Sequence, residues 1–149
     1  MLSLTSFLRD IASEMLVHLL PLFLANVLSA RIAVIGLIEG VAETTASLMK
    51  IYSGWLSDKL GRRKGLTVGG YGVAALAMPL LLMARTLPVV LLYRFLDRVG
   101  KGIRTAPRDA LIADSVETHQ RGASFGFHRA ADSAGAFLGL LLAIAFVGV

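Results

Sequence analysis

The chain has 149 residues, 56% of them hydrophobic, with a formal net charge of +5 and no cysteine. A mean hydropathy of +0.72 is too high for a soluble domain of this length and indicates an integral membrane protein. The lack of cysteine excludes disulfide and thiolate chemistry. The bases lie in short loops and inside apolar stretches, so no nucleic-acid partner is expected.

A membrane-spanning helix needs about 20 mostly apolar residues. Five segments qualify, at roughly 11–30, 34–56, 66–84, 87–113 and 122–147. The linkers are short, so residues 1–149 read as one helical unit with no separate soluble domain. In the first segment Asp10, Glu14 and His18 stack at i, i+4 and i+8, and the two acids interrupt the apolar run that a cleavable signal peptide needs. In the second, Glu39, Glu43 and Lys50 share a face, with Ser47 beside them.

The turn that follows reads Gly54-Trp-Leu-Ser-Asp58-Lys59-Leu-Gly61-Arg62-Arg63-Lys64, strongly basic with one acid. The third segment carries Gly65, Gly69, Gly70, Gly72 and Pro79 and no ionisable group in its middle, which reads as a packing or lipid-facing helix. On the fourth, Arg94, Asp97, Arg98, Lys101, Arg104, Arg108 and Asp109 fall on one side, opposite Leu92, Phe95, Leu96, Val99, Ile103 and Ala106. On the fifth, Arg121, His128, Asp132, Gly135 and Gly139 align, with Arg129 at the edge.

Lys and Arg concentrate in the 2–3 turn and in the 4–5 region, at Arg104, Arg108 and Arg121, whereas the other two turns hold only Arg31 and Arg85. The basic turns should be cytoplasmic, with the N-terminus inside. Ionisable groups within the bilayer are costly and normally face a polar interior. Four charged stripes are expected to converge on a shared cavity, or else to pair off as buried salt bridges that fix helix register. A buried group that exchanges a proton must be a carboxylate or imidazole whose pKa reaches the working range. Burial and a second nearby carboxylate both raise a carboxylate's pKa. The candidates are Glu39 or Glu43 first, then Asp10 with Glu14, then Asp132 with His128.

The 2–3 turn resembles the signature loop of the major facilitator superfamily, Gly-x-Leu-Ala/Ser-Asp-Arg-x-Gly-Arg-Arg/Lys. Gly54, Leu56, Ser57, Asp58, Gly61, Arg62 and Arg63 match it, and Lys59 stands where Arg is usual. The fourth segment is similar to the family's Arg-x-x-Gln-Gly-x-Gly: Arg94 and Gly100 match, while Asp97 replaces Gln and Arg98 the first Gly. The longer string through Asp109, and Asp10-Ile-Ala-Ser-Glu14-Met, look like a bacterial permease subgroup. The exporters' Gly-x-x-x-Gly-Pro is incomplete, since Gly135 and Gly139 have the spacing but Leu140 stands in place of Pro. Close helix packing explains those two glycines equally.

The resemblance implies an all-α integral membrane fold, namely five transmembrane helices of an incomplete N-terminal six-helix bundle, out of a family architecture of two six-helix halves. It implies a secondary transporter of a small solute in a bacterial inner membrane, working by alternating access. Residues 54–64 would be a cytoplasmic gate loop, with Gly54, Asp58, Gly61, Arg62 and Arg63 as its motif. Arg94, Asp97, Arg98 and Lys101 would line the central cavity, and Asp109 and Asp114 would pair with the turn's arginines. The expected partners are the lipid bilayer, an unidentified small-molecule substrate, a sixth helix and the second half; no cofactor or metal is expected. The chain is expected to be a fragment that does not transport alone, with a complete five-span protein as the alternative. Two rival readings are a non-transporting membrane interaction protein and an intramembrane metalloenzyme using Asp10, Glu14 and His18.

Overall fold

The computed structural model describes residues 2–147, which contain helices and no strand. Five long helices follow one another: α1 (Leu2–Asn26), α2 (Ile32–Leu60), α3 (Arg63–Ala77), α4 (Leu87–Asp114) and α5 (Arg121–Val147). Short 3-10 segments occupy Met78–Met83 and Thr118–Gln120. Gly148 and Val149, to which the apolar run of the fifth segment continues, lie outside the described residues.

Local chemistry explains several of these boundaries. α2 stops at Gly61, whose φ of 63° is the left-handed conformation glycine adopts without a Cβ penalty; its N–H donates to the Ser57 carbonyl at 3.0 Å. α3 therefore starts just one residue later, after Arg62. Its α-helical geometry tightens to 3-10 over Met78–Met83, where Pro79 has no N–H to give to the ladder. α4 opens on Leu87-Pro88, with proline in the first turn, where a missing N–H is harmless.

Among the described residues, three helical stretches are long and apolar enough to cross a membrane by length and composition: Ile32–Leu60, Arg63–Met83 and Thr118–Val147. The sequence reading of five spans is thus wider than this measure. The difference lies in charge: α1 carries Arg9, Asp10 and Glu14, and α4 carries the long ionisable stripe.

The chain forms two compact units, residues 1–27 with 116–149, and residues 28–115. In the first, α1 and α5 run parallel. A Cβ on Gly135 would lie 2.7 Å from the Phe7 carbonyl oxygen, and one on Gly139 would lie 2.6 Å from that of Ile11. The same four-residue step on both helices sets the direction, and both glycines are packing positions.

In the second unit α4 packs against both α2 and α3. At the α3–α4 crossing a Cβ on Gly70 would meet the Gly100 carbonyl oxygen at 2.7 Å, and one on Gly100 would meet that of Gly70 at 2.6 Å. Gly65, Gly69 and Gly72 have nothing within 4 Å at that position, so only one of α3's glycines in this set makes the close approach. At the α2–α4 crossing, Gly102 lets the Ala46 carbonyl come within 2.6 Å of where a Cβ would stand. The buried Ser53 hydroxyl donates to the Gly102 carbonyl at 3.0 Å there.

Candidate functional site

α4 is inverted relative to a helix of a soluble protein. Its buried residues include Arg94, Asp97, Arg98, Arg104 and Arg108, whereas Leu91, Leu92 and Phe95 are exposed. Apolar side chains can face lipid at no cost, but charges cannot, so the stripe turns inward and must find partners.

α2 supplies two of them. Arg94, only 1% exposed, holds Glu39 by a two-pronged contact: its Nε donates to Oε1 at 2.9 Å and its second terminal nitrogen donates to Oε2. One turn further along both helices, Arg98 lies 3.6 Å from Glu43. The two helices run parallel, so the i, i+4 step of acids on α2 meets the i, i+4 step of bases on α4 in constant register. The second pair is looser, with the Glu43 side chain 65% exposed. Higher on α4, the Arg104 guanidinium lies 4.7 Å from the centroid of the Tyr71 ring of α3, a cation–π contact. Arg108 meets Asp109, its neighbour, at 3.2 Å. Asp97 is buried and Lys101 half-buried on the same face, both engaged in polar contacts. Lys50, by contrast, is exposed, and its ammonium meets no acid among the described residues.

At the other end of this unit the 2–3 turn meets the end of α4. Arg63 forms an ion pair with Asp114 through one terminal nitrogen, and its other terminal nitrogen lies 3.6 Å from Asp58. All three charges sit at the wrong ends of their own helices. Asp58 and Asp114 lie at the carbonyl ends of α2 and α4, and Arg63 begins α3 at its N–H end. Each is unfavourable alone, and the cluster offsets all three. Arg62 and Lys64 are exposed and make no such pair among the described residues. Gly54, one turn before Asp58, packs on Ala106 of α4: a Cβ at Gly54 would lie 3.3 Å from the Ala106 Cβ, tighter than an ordinary contact.

In the first unit, Asp10 and Glu14 stand over the glycines of α5: their Cβ atoms lie 3.4 and 3.1 Å from where Gly135 and Gly139 would place theirs. His128, 1% exposed, has Nδ1 3.2 Å from Ser3 Oγ and Nε2 3.6 Å from Asp132. His18 is turned to its own helix, with Nδ1 2.8 Å from the Glu14 carbonyl oxygen. Asp10, Glu14 and His18 form no metal-binding group, and no cluster of three or more such ligands occurs among the described residues.

The family profile of the Major Facilitator Superfamily matches residues 2–149. The chain belongs to this superfamily. An uncharacterized MFS-type transporter of Methanocaldococcus jannaschii is 38% identical over 147 residues, covering 99% of this chain and 36% of that protein. A multidrug resistance protein of Aeromonas hydrophila is 29% identical over 141 residues, 95% of this chain and 35% of that one. An uncharacterized protein of Mycobacterium bovis is 34% identical over 114 residues, 76% of this chain and 28% of its own length. The chain thus spans about a third of the length of these relatives. No solved structure matches it. Membership makes it a multi-pass membrane protein of a transporter family rather than an enzyme.

Within the superfamily chain, sequence reasoning overlooked Ser3, Ser53, Gly102 and Tyr71. Ser3 precedes the first apolar run and gave no signal. Gly100 and Gly102, small residues inside the charged stripe, were the available sign that two other helices press on α4.

Proposed function

We propose that this chain is the N-terminal part of a secondary active transporter of a small solute, coupled to protons and working by alternating access. It would lie in a bacterial inner membrane with its N-terminus cytoplasmic, and residues 54–64 would act as the cytoplasmic gate element. The observation that carries the reading is the Asp58–Arg63–Asp114 cluster. It ties the turn between α2 and α3 to the end of α4 through a half-buried arginine and two exposed aspartates, a contact that can break and re-form without unpacking a core. Exposed ion pairs of this kind are worth only about 0–1 kcal/mol each, which suits an element that must open. Asp58, with 72% of its side chain exposed, also keeps surface free for a second partner. The sixth helix and second six-helix half, proposed here to complete the protein, would provide it.

Arg94, Asp97, Arg98 and Lys101 are the proposed charged lining of the substrate path. The pairing of Arg94 and Arg98 with α2 supports a charge-balanced interior over a simple anion trap. For proton coupling the geometry favours Glu39 over Glu43. Glu39 is held at two points by a buried arginine, so protonating it would release Arg94 for a new partner. Asp10, Glu14, Asp132 and His128, along the α1–α5 seam, are the secondary candidates.

The test is transport by the complete protein carrying Asp58→Asn. Normal membrane insertion with transport reduced at least tenfold is the expected result. Wild-type uptake or efflux in that variant would overturn the gate assignment. The 149-residue chain alone, reconstituted in proteoliposomes, should show no solute flux above empty vesicles.

A further inference from the structure

The bases of the 2–3 turn divide into two sets. Arg63 is engaged by Asp58 and Asp114. Lys59, Arg62 and Lys64 are exposed and meet no acid among the described residues. Lys59 lies over the indole of Trp55, 4.9 Å from the ring centroid, and Trp55 is packed obliquely on Tyr52 with centroids 6.0 Å apart. Both rings are more than half exposed. They sit on the outward face of α2, continuing a line of exposed Leu48 and Ile51, while Ser53 and Ser57 bury the other face against the unit.

The order along this face is apolar, then aromatic, then basic. A membrane interface has the same order of environments: acyl chains, then the carbonyl and glycerol layer where Trp and Tyr settle, then phosphates. A plain topological role accounts for positive charge in the turn. It does not account for an amphipathic ring pair in line with Lys59, or for three bases that meet no acid among the described residues while Asp58, the acid of the same turn, is engaged by Arg63.

We propose that Tyr52, Trp55, Lys59, Arg62 and Lys64 form a binding site for the headgroup of an anionic phospholipid. The phosphate would be held by Lys59 and the turn bases, and the glycerol backbone would lie against the two rings. The bases are complementary to a phosphodiester of net negative charge, and the rings supply the polar-apolar boundary that a free anion in water would not use. This inference rests on the chain's membrane placement; it shares residues of the 54–64 turn with the gate reading, and the test below reads lipid contact rather than transport.

Trp55 is the only tryptophan of the chain, so its fluorescence reports this site alone. The 149-residue chain is reconstituted in vesicles of phosphatidylcholine in which a set fraction is replaced by brominated phosphatidylglycerol, or by brominated phosphatidylcholine as the reference. Quenching should show a severalfold preference for phosphatidylglycerol at low salt, reduced at 0.5 M salt. Lys59→Gln should lower the preference by roughly threefold to fivefold, and Lys59→Gln/Arg62→Gln/Lys64→Gln should abolish it. Arg31→Gln, a base at the opposite end of α2, should leave it unchanged. Equal quenching by the two lipids overturns the proposal, as does a preference that survives the triple variant or falls equally with Arg31→Gln. No quenching by either lipid would remove the membrane placement of Trp55 as well. Loss of transport in Asp58→Asn has no bearing on any of these outcomes.

Discussion

Arg94 and Glu39 are joined at two points across the α2–α4 crossing, with the guanidinium sealed from solvent and the carboxylate about one-third exposed. The asymmetry matters. A buried arginine cannot shed its charge, so its partner alone decides whether the site is neutral. Glu39→Gln should therefore leave Arg94 uncompensated and lower stability by about 1–3 kcal/mol, below the 3–5 kcal/mol of a fully buried pair because Glu39 retains access. Adding Arg94→Gln should recover part of that loss, since both charges are then gone. Thermal unfolding of the four proteins in one detergent gives the coupling, and strictly additive losses would show that the two side chains do not act as a pair.

The second pair is predicted to matter less. Glu43→Gln breaks a 3.6 Å contact whose acid is largely exposed, and should change stability by less than about 1 kcal/mol. In the complete transporter the two variants should also separate in pH dependence. Glu39→Gln should flatten the dependence of transport on pH, and Glu43→Gln should preserve its shape. A pH profile that is flat already in the wild type would remove proton coupling from the reading.

Much of this arrangement can be read from spacing, and the remainder cannot for definite physical reasons. The i, i+4 repeat of Glu39 and Glu43 and that of Arg94 and Arg98 are visible in the sequence, because helical period fixes which residues share a face. Which stripe meets which depends on helix direction and axial offset, and a stripe carries no mark of either. The glycines of α3 show the same limit. Gly65, Gly69, Gly70 and Gly72 look alike as residues, but the rotation of α3 about its axis places just Gly70 on the Gly100 carbonyl. Gly61 differs, because the left-handed φ of 63° at the end of α2 is a conformation that glycine adopts without a Cβ penalty.

That difference among glycines gives a direct test. Gly100→Ala and Gly70→Ala would each drive a Cβ to within 2.7 Å of a backbone oxygen, so the helices must separate. Each should cost about 1–3 kcal/mol, as overpacking of a tight contact does. Gly69→Ala and Gly72→Ala meet open space and should be neutral or slightly stabilising, because alanine is the better helix former. Equal effects at all four positions would contradict the crossing described for α3 and α4.

The turn cluster predicts a split between stability and function. Asp114 is more than half exposed, although Arg63 is half-buried. Asp114→Asn should therefore shift unfolding by less than about 1 kcal/mol, within the range of surface ion pairs. Its effect on the complete transporter should be larger than that shift suggests, because Arg63 would then be left to Asp58 alone and the turn would lose its tie to the end of α4. Reversing the pair, with Arg63→Asp and Asp114→Arg together, should restore part of the transport lost in either single variant. Asp58 limits the rescue, because a carboxylate at position 63 would replace the cation it faces with a like charge. Rescue in the reversed pair that improves further with Asp58→Asn would show that Asp58 acts only through Arg63. If Asp58→Asn still blocks transport in that background, Asp58 engages a partner of its own, as its exposed side chain allows.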